Sequence, residues 1–169
     1  MLNEDRPDYI KNERELEVFG FAHEAVRTFR EAGWLTYVVS NQSVVGRGLS
    51  SLAEVEATTA KLIRLAGPFD GIFYCYHKPG DGCDCRKPEP GLLLQGLAAA
   101  AEAGPVEECW MIGDSARDVE AGARAGCRTA VVLSGRLSEE EARALEPPAD
   151  VVVADVLEAA RLLAGRGRE

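Results

Sequence analysis

One stretch of eleven residues, CYHKPGDGCDC, gathers Cys75, His77, Cys83 and Cys85. Thiolate and imidazole are zinc donors, at about 2.3 and 2.0–2.1 Å in a tetrahedral shell. Four such donors fill the shell and leave no open position for water. The cluster therefore reads as a structural zinc that fixes a loop. Thiols grouped by chance are the competing reading, because each pair is spaced more tightly than in common zinc modules.

Arg86 and Lys87 follow the cluster directly. Adjacent cations on a constrained loop suit a phosphoryl group, gripped by arginine through a fork and by lysine as a point charge. GDSARD then places Asp114 after an apolar run and Asp118 one helical turn later. A carboxylate there, with Gly113 allowing close approach, suits magnesium, which takes one or two carboxylates plus waters and a phosphate. On this motif alone, a plain helix cap by Asp114 and Ser115 serves as well. SNQ at 40–42 offers a hydroxyl and two amides to phosphate oxygens, or makes a simple turn.

These motifs need elements to hold them. Leu16, Phe19, Ala22, Val26 and Phe29 recur at helical spacing and predict a helix over Arg14 to Ala32. Further helices are expected from Ser51 to about Ala66, over Gly91 to Ala103, from GDSARD to near Gly126, after Ser138, and over Val156 to Leu163. Ser51 with Glu54, and Ser138 with Glu141, have the spacing of capping boxes. Short apolar runs predict strands at Leu35 to Val39, Asp70 to Tyr74, Glu108 to Ile112, Arg128 to Leu133 and Asp150 to Val153. The segment from Cys75 to Pro90 is too rich in Gly, Pro and Cys for regular structure. The tail GRGRE is expected to fray.

Strand and helix alternate, which implies an α/β fold: a Rossmann-like, mostly parallel sheet with helices on both faces. Ligands of such sheets bind beyond the carboxyl ends of the strands, where SNQ, RKP and GDSARD all fall. Cys109 and Cys127 sit at apolar strand starts and read as small hydrophobes. His23 lies on a helix and reads as a surface residue.

The chain has 169 residues, 46% of them apolar and 28% charged, the composition of one globular domain. Its net charge of -9 disfavours nucleic acid and anionic membranes as partners. No run of about 18 apolar residues is present, so nothing spans a bilayer. There is no signal pattern, and the expected compartment is the cytoplasm. The five cysteines are then thiols or metal ligands rather than disulfides.

Taken together, SNQSVVGRG, the cysteine cluster running into CRKPEPG, and GDSARD resemble the haloacid dehalogenase superfamily of phosphotransferases. The likeness covers nearly the whole chain. The cysteine loop narrows it to the small cap-less phosphatases acting on heptose bisphosphate or histidinol phosphate. The resemblance implies Mg2+ as catalytic metal and Zn2+ as structural metal. It implies that Ser40 and Asn41 hydrogen-bond the transferring phosphoryl group and that Lys87 neutralises it. Asp114 would bind magnesium, and Asp118 would orient Lys87 or support the metal shell. Arg86 and Arg47 would contact the rest of the substrate. A monomer acting on a small phosphorylated metabolite is expected.

The family's nucleophile lies in D-x-D-G at the end of the first, central strand, and these residues contain no D-x-D-G. LNEDRPDYI resembles the stretch that follows it, so the chain is expected to begin just after the catalytic loop. A valine codon read as an initiator is one explanation; a real truncation is the other. Asp5 and Asp8 are poor substitutes, because no strand precedes them. Three functions follow as expectations: a heptose bisphosphate phosphatase, a histidinol-phosphate phosphatase, or an inactive homologue that binds phosphorylated ligands. As written, the chain is expected to be inactive.

Overall fold

The computed structural model describes residues 1–169 except Asp5, Ala101, Ala103 and 166–169. The amino-terminal residues form a hairpin-like excursion. Asn3 and Val18 make an antiparallel bridge, Glu4 N donates to Glu17 O at 2.9 Å, and Phe19 N donates to Leu2 O at 3.0 Å. Lys11 and Asn12 lead into a single 3-10 turn, Glu13–Glu15.

Helix α1 spans Ala22–Glu31 and buries Ala22, Ala25, Val26 and Phe29. The helix expected from Arg14 thus starts eight residues later. Leu16 is buried, but in a separate cluster with Leu62 and Ala66. Pairing of 17–19 with the opening residues outweighs the helical propensity of a Glu- and Arg-rich stretch. Strand β1 is Tyr37–Asn41, shifted two residues from the expected run, so Ser40 and Asn41 end a strand instead of opening a loop. A short helix, α2 (Ser43–Gly46), occupies part of the expected loop.

Helix α3, Leu52–Ala66, starts at the expected Ser51/Glu54 capping box. Strand β2 is Gly71–Cys75. Helix α4 is Gly91–Ala99; part of its expected end, at Ala101 and Ala103, lies outside the described residues. Strand β3 is Trp110–Gly113, preceded by a 3-10 turn at Val106–Glu108 where the strand was expected to begin. Helix α5, Ala116–Ala125, ends at Gly126 as expected. Strand β4 is Arg128–Val132, helix α6 Glu139–Arg143, strand β5 Val151–Val153 and helix α7 Val156–Ala164. All but the first residue of the GRGRE tail lies outside the described residues.

Every ladder is parallel, yet the strands form two sheets, β1–β2 and β3–β4–β5. Helices cover both faces. Phe29 of α1 and Leu157, Ala160 and Leu163 of α7 share a cluster with Val132 and Val153. On the other face Leu93 of α4 and Ala121 of α5 pack with Met111. Successive β3 residues thus serve opposite faces, Met111 one and Ile112 the other, as the two-residue strand period requires. Between the sheets lies a cavity of about 260 Å³, lined by β1 and β3 together.

Candidate active site and metal centre

Strands β1 and β3 deliver their carboxyl ends to one place. Asn41 ends β1, and its side chain pairs with the Lys87 peptide. Asn41 Nδ2 donates to Lys87 O at 3.1 Å, and Lys87 N donates to Asn41 Oδ1 at 3.0 Å. This pair of hydrogen bonds fixes the RKP loop against the strand. Lys87 Nζ then donates to Val39 O at 3.0 Å and lies 2.7 Å from Asp118 Oδ1. Both residues are buried, 7% and 4% exposed.

Asp118 uses its other oxygen differently. Its Oδ2 accepts from Ser115 Oγ at 2.7 Å, Ser115 N at 3.1 Å and Asp114 N at 3.2 Å. It therefore closes the capping box of α5 and holds Lys87 at once. Burial by itself would raise the Asp118 carboxyl; the Lys87 ammonium and these donors outweigh it and hold the group below its ordinary value. Ser115 is the N-cap residue of α5, but the carboxylate that accepts the backbone N–H groups there is Asp118 and not Asp114.

Gly113 sits hard against this carboxylate, since a Cβ there would overlap the Asp118 side chain. Gly113→Ala is expected to cost about 1–3 kcal/mol by overpacking, read as a lower urea midpoint. Asp114 is half-buried beside Gly135, whose added Cβ would likewise overlap the Asp114 side chain. Met1 N donates to Ser134 Oγ at 3.1 Å, so the turn after β4 abuts the same spot. Sequence reasoning missed that turn and the Val39 carbonyl. The Ser134–Gly135 dipeptide after an apolar run was the one available signal.

The remaining expected site residues make other contacts. Ser40 Oγ accepts from Gln42 Nε2 at 3.2 Å. Arg86 Nη1 donates to His77 O at 3.0 Å, tying it to the cysteine loop. Arg47 is exposed and lies 5.6 Å from the Tyr9 ring centroid, a cation–π pair. Tyr9 has φ 67, the one positive value off glycine among the described residues. Asp8 is occupied by Arg6 and Lys11 at 3.3 and 2.8 Å, and Asp5 lies outside the described residues.

The cysteine loop has the shape its donors need. Cys75 ends β2 and is 1% exposed. Gly80 and Gly82 take φ of 92 and 70, which lets the chain turn back so that Cys83 and Cys85 face Cys75. The four donor atoms lie within 4.8 Å of one another. Cys75 Sγ is 3.8 Å from Cys83 Sγ and 3.5 Å from His77 Nδ1, and Cys85 Sγ is 3.4 Å from the same nitrogen. A tetrahedron with arms of about 2.3 Å has edges of about 3.8 Å, so the set fits a zinc-sized ion. Burial, then the neighbouring thiols, pushes the Cys85 thiol up to about 12. A divalent cation reverses that preference, because coordinated thiols ionise. His23 is exposed, as expected, while Cys109 and Cys127 are only half-buried instead of fully internal.

A parallel α/β domain with a lysine–carboxylate pair and a strand-end aspartate has the layout of a phosphoryl-transfer hydrolase. The family described as "HAD-hyrolase-like" matches residues 84–159. A curated D-glycero-beta-D-manno-heptose-1,7-bisphosphate 7-phosphatase of Pseudomonas aeruginosa is 38% identical over 141 residues, 80% of this chain and 78% of that protein. One from Neisseria meningitidis is 35% identical over 140 residues, covering 80% and 74%. The crystal structure of a D,D-heptose 1.7-bisphosphate phosphatase from B. bronchiseptica, with magnesium and phosphate, has a TM-score of 0.84 at 29% identity, over 98% of this chain and 94% of that one. The chain belongs to the heptose-bisphosphate phosphatase family of haloacid-dehalogenase-like hydrolases. A metal cofactor is supported by that neighbour and by the Cys/His group. Among the described residues no helix is long and apolar enough to cross a membrane.

Proposed function

We propose that residues 1–169 form a single domain with the layout of a magnesium-dependent phosphatase. Its substrate is a small sugar phosphate, D-glycero-D-manno-heptose 1,7-bisphosphate in first place. Histidinol phosphate is the second candidate, and the names of the relatives favour the heptose. The carrying observation is the buried Lys87–Asp118 pair beside Asp114, where β1 and β3 end.

Lys87 offers a fixed positive charge to phosphoryl oxygens in a site of reduced dielectric, where such charge acts most strongly. Asp118 is the positioning residue that aims it. Asn41 holds the Lys87 backbone, and Ser40 presents a hydroxyl nearby. Arg86, next to Lys87 in the chain, and Arg47 are the cations assigned to the rest of the substrate. Asp114 supplies one carboxylate to a magnesium ion, whose remaining positions suit water and phosphate; the ion would withdraw charge from the phosphoryl group. The net charge of -9 argues for no nucleic acid and no membrane, and a cytoplasmic monomer is the simplest setting.

Titration calorimetry with inorganic phosphate and magnesium tests this reading. Wild-type chain should bind phosphate more tightly with the ion than without it, and Lys87→Ala should weaken binding at least about tenfold, the worth of one charge-assisted contact. Heptose 1,7-bisphosphate should displace phosphate better than histidinol phosphate does. Unchanged affinity in the lysine variant would remove the basis of the proposal.

The cysteine loop holds zinc in a structural role. Protein purified without chelator should carry one zinc per chain on Cys75, His77, Cys83 and Cys85. Cys83→Ser should reduce the zinc content and lower the melting temperature, because binding free energy of such a site is folding free energy. A well-folded, metal-free wild type speaks against it.

A further inference from the structure

Cys109 and Cys127 each stand one residue ahead of the first β3–β4 pair, Trp110 with Arg128. The ladder already reaches them, since Arg128 N donates to Cys109 O at 2.9 Å. Side chains at matching positions of neighbouring strands point to the same face. Cys127 packs with Met111 and Ala121, and Cys109, two residues before Met111, shares that face by the strand period. Burial first, and then the Cys109 thiol, pushes the Cys127 thiol up to about 11, so the two sulfurs are near neighbours.

Neighbouring strands lie about 4.7–4.9 Å apart, inside the span of about 4.4–6.8 Å between the Cα atoms of a disulfide. Both residues are thiols and both are half-buried, within reach of a small oxidant. Neither belongs to the site already described. They lie at the amino ends of β3 and β4, whereas Lys87, Asp118 and the Cys/His group gather at the carboxyl ends of the strands.

We propose that Cys109 and Cys127 form a reversible disulfide, a dithiol redox site whose oxidant is a small hydroperoxide. The link closes the segment 109–127, which holds all of α5 together with Asp114, Ser115 and Asp118. It staples this β–α–β unit at the end opposite the phosphoryl site. Cys127 is the poorer first nucleophile, because a thiol pushed up by burial holds little thiolate at neutral pH. The Cys109 sulfur therefore attacks a peroxide oxygen. An S–O bond forms, the O–O bond breaks, and the departing oxygen leaves with the Cys109 proton, as water when the oxidant is hydrogen peroxide. The Cys127 sulfur then attacks the sulfenic sulfur. The S–S bond forms, the S–O bond breaks, and hydroxide leaves with the Cys127 proton as water. Two thiols lose two electrons in all, and the peroxide gains both.

Trypsin separates the partners. Cys109 falls in peptide 87–117, Cys127 in 125–128, and Cys75, Cys83 and Cys85 all in 65–86. The full 169-residue chain, kept in zinc, is treated with hydrogen peroxide and digested without reductant. The expected product joins 87–117 to 125–128 at a mass two hydrogens below their sum, and dithiothreitol separates it. The fold supplies the proximity, so the link should form at least about tenfold faster in the native chain than in chain unfolded in urea. Oxidised wild type should melt about 5 °C or more above Cys109→Ser treated alike, which keeps the same Cys/His group. Separate sulfinic acids on the two cysteines overturn the proposal. So do links to peptide 65–86 or to a second chain, equal rates with and without urea, and a link that leaves melting where Cys109→Ser has it. Phosphate binding and turnover play no part in these readings, which stand apart from the proposed function.

Discussion

Incubated with heptose 1,7-bisphosphate and magnesium, the 169-residue chain is expected to release phosphate no faster than buffer. The site has a buried ammonium and, just after β3, the half-buried Asp114 carboxylate. Positioning and charge lower a barrier, but a covalent route needs a carboxylate that attacks phosphorus. The 169 residues contain no D-x-D-G. Asp8 is held by Arg6 and Lys11 on an exposed loop, and these hydrogen bonds keep its carboxyl below the ordinary value. The same chain preceded by an apolar strand ending in D-x-D-G should gain at least about a thousandfold in rate, a modest part of the 10⁶-fold or more typical of enzymes. A third protein, with asparagine in place of both added aspartates, separates folding from chemistry. It should match the active form in melting temperature and the parent chain in turnover. Turnover by the parent chain that disappears in Asp8→Asn would show that the loop had been misjudged. Equal inactivity of all three proteins, with phosphate still bound, would favour a binding homologue.

Breaking the Lys87–Asp118 pair should produce the largest loss of stability available from one substitution at the site. Lys87→Met leaves a carboxylate buried, and Asp118→Asn leaves an ammonium buried, each without its counter-charge. Removing one partner of a buried pair costs about 3–5 kcal/mol, because the survivor keeps its desolvation penalty. Asp118→Ala should fall at the upper end. It also strips the acceptor shared by Ser115 Oγ, Ser115 N and Asp114 N, and so uncaps α5. The double variant Lys87→Met/Asp118→Asn should be less destabilised than the sum of the two single variants, since it buries no lone charge. Urea unfolding of the four proteins measures this. Additive losses would mean that the pair is solvated in solution, contrary to its 7% and 4% exposure.

Local signals were legible wherever the deciding hydrogen bonds span a few residues. Ser51 with Glu54 and Ser138 with Glu141 close capping boxes as their spacing implied, and Gly126 ends α5. The four Cys/His donors could be named because all lie within eleven residues, a loop whose closure costs little entropy. Parallel α/β architecture followed from the alternation of apolar runs, since crossover helices are what parallel strands require. Only the tertiary structure decided the rest, and the deciding contacts are distant along the chain. Residues 17–19 look helical but pair with residues 2–4. Asn41, expected to face a phosphoryl group, binds the Lys87 peptide 46 residues away. Asp118 was expected either to orient Lys87 or to support a metal shell; burial leaves it 2.7 Å from the lysine, where each charge offsets the other's desolvation. The division of the strands into two sheets around one cavity is also a tertiary fact. Strand propensity describes a pleated segment, whereas the neighbour on each edge is chosen by packing between elements.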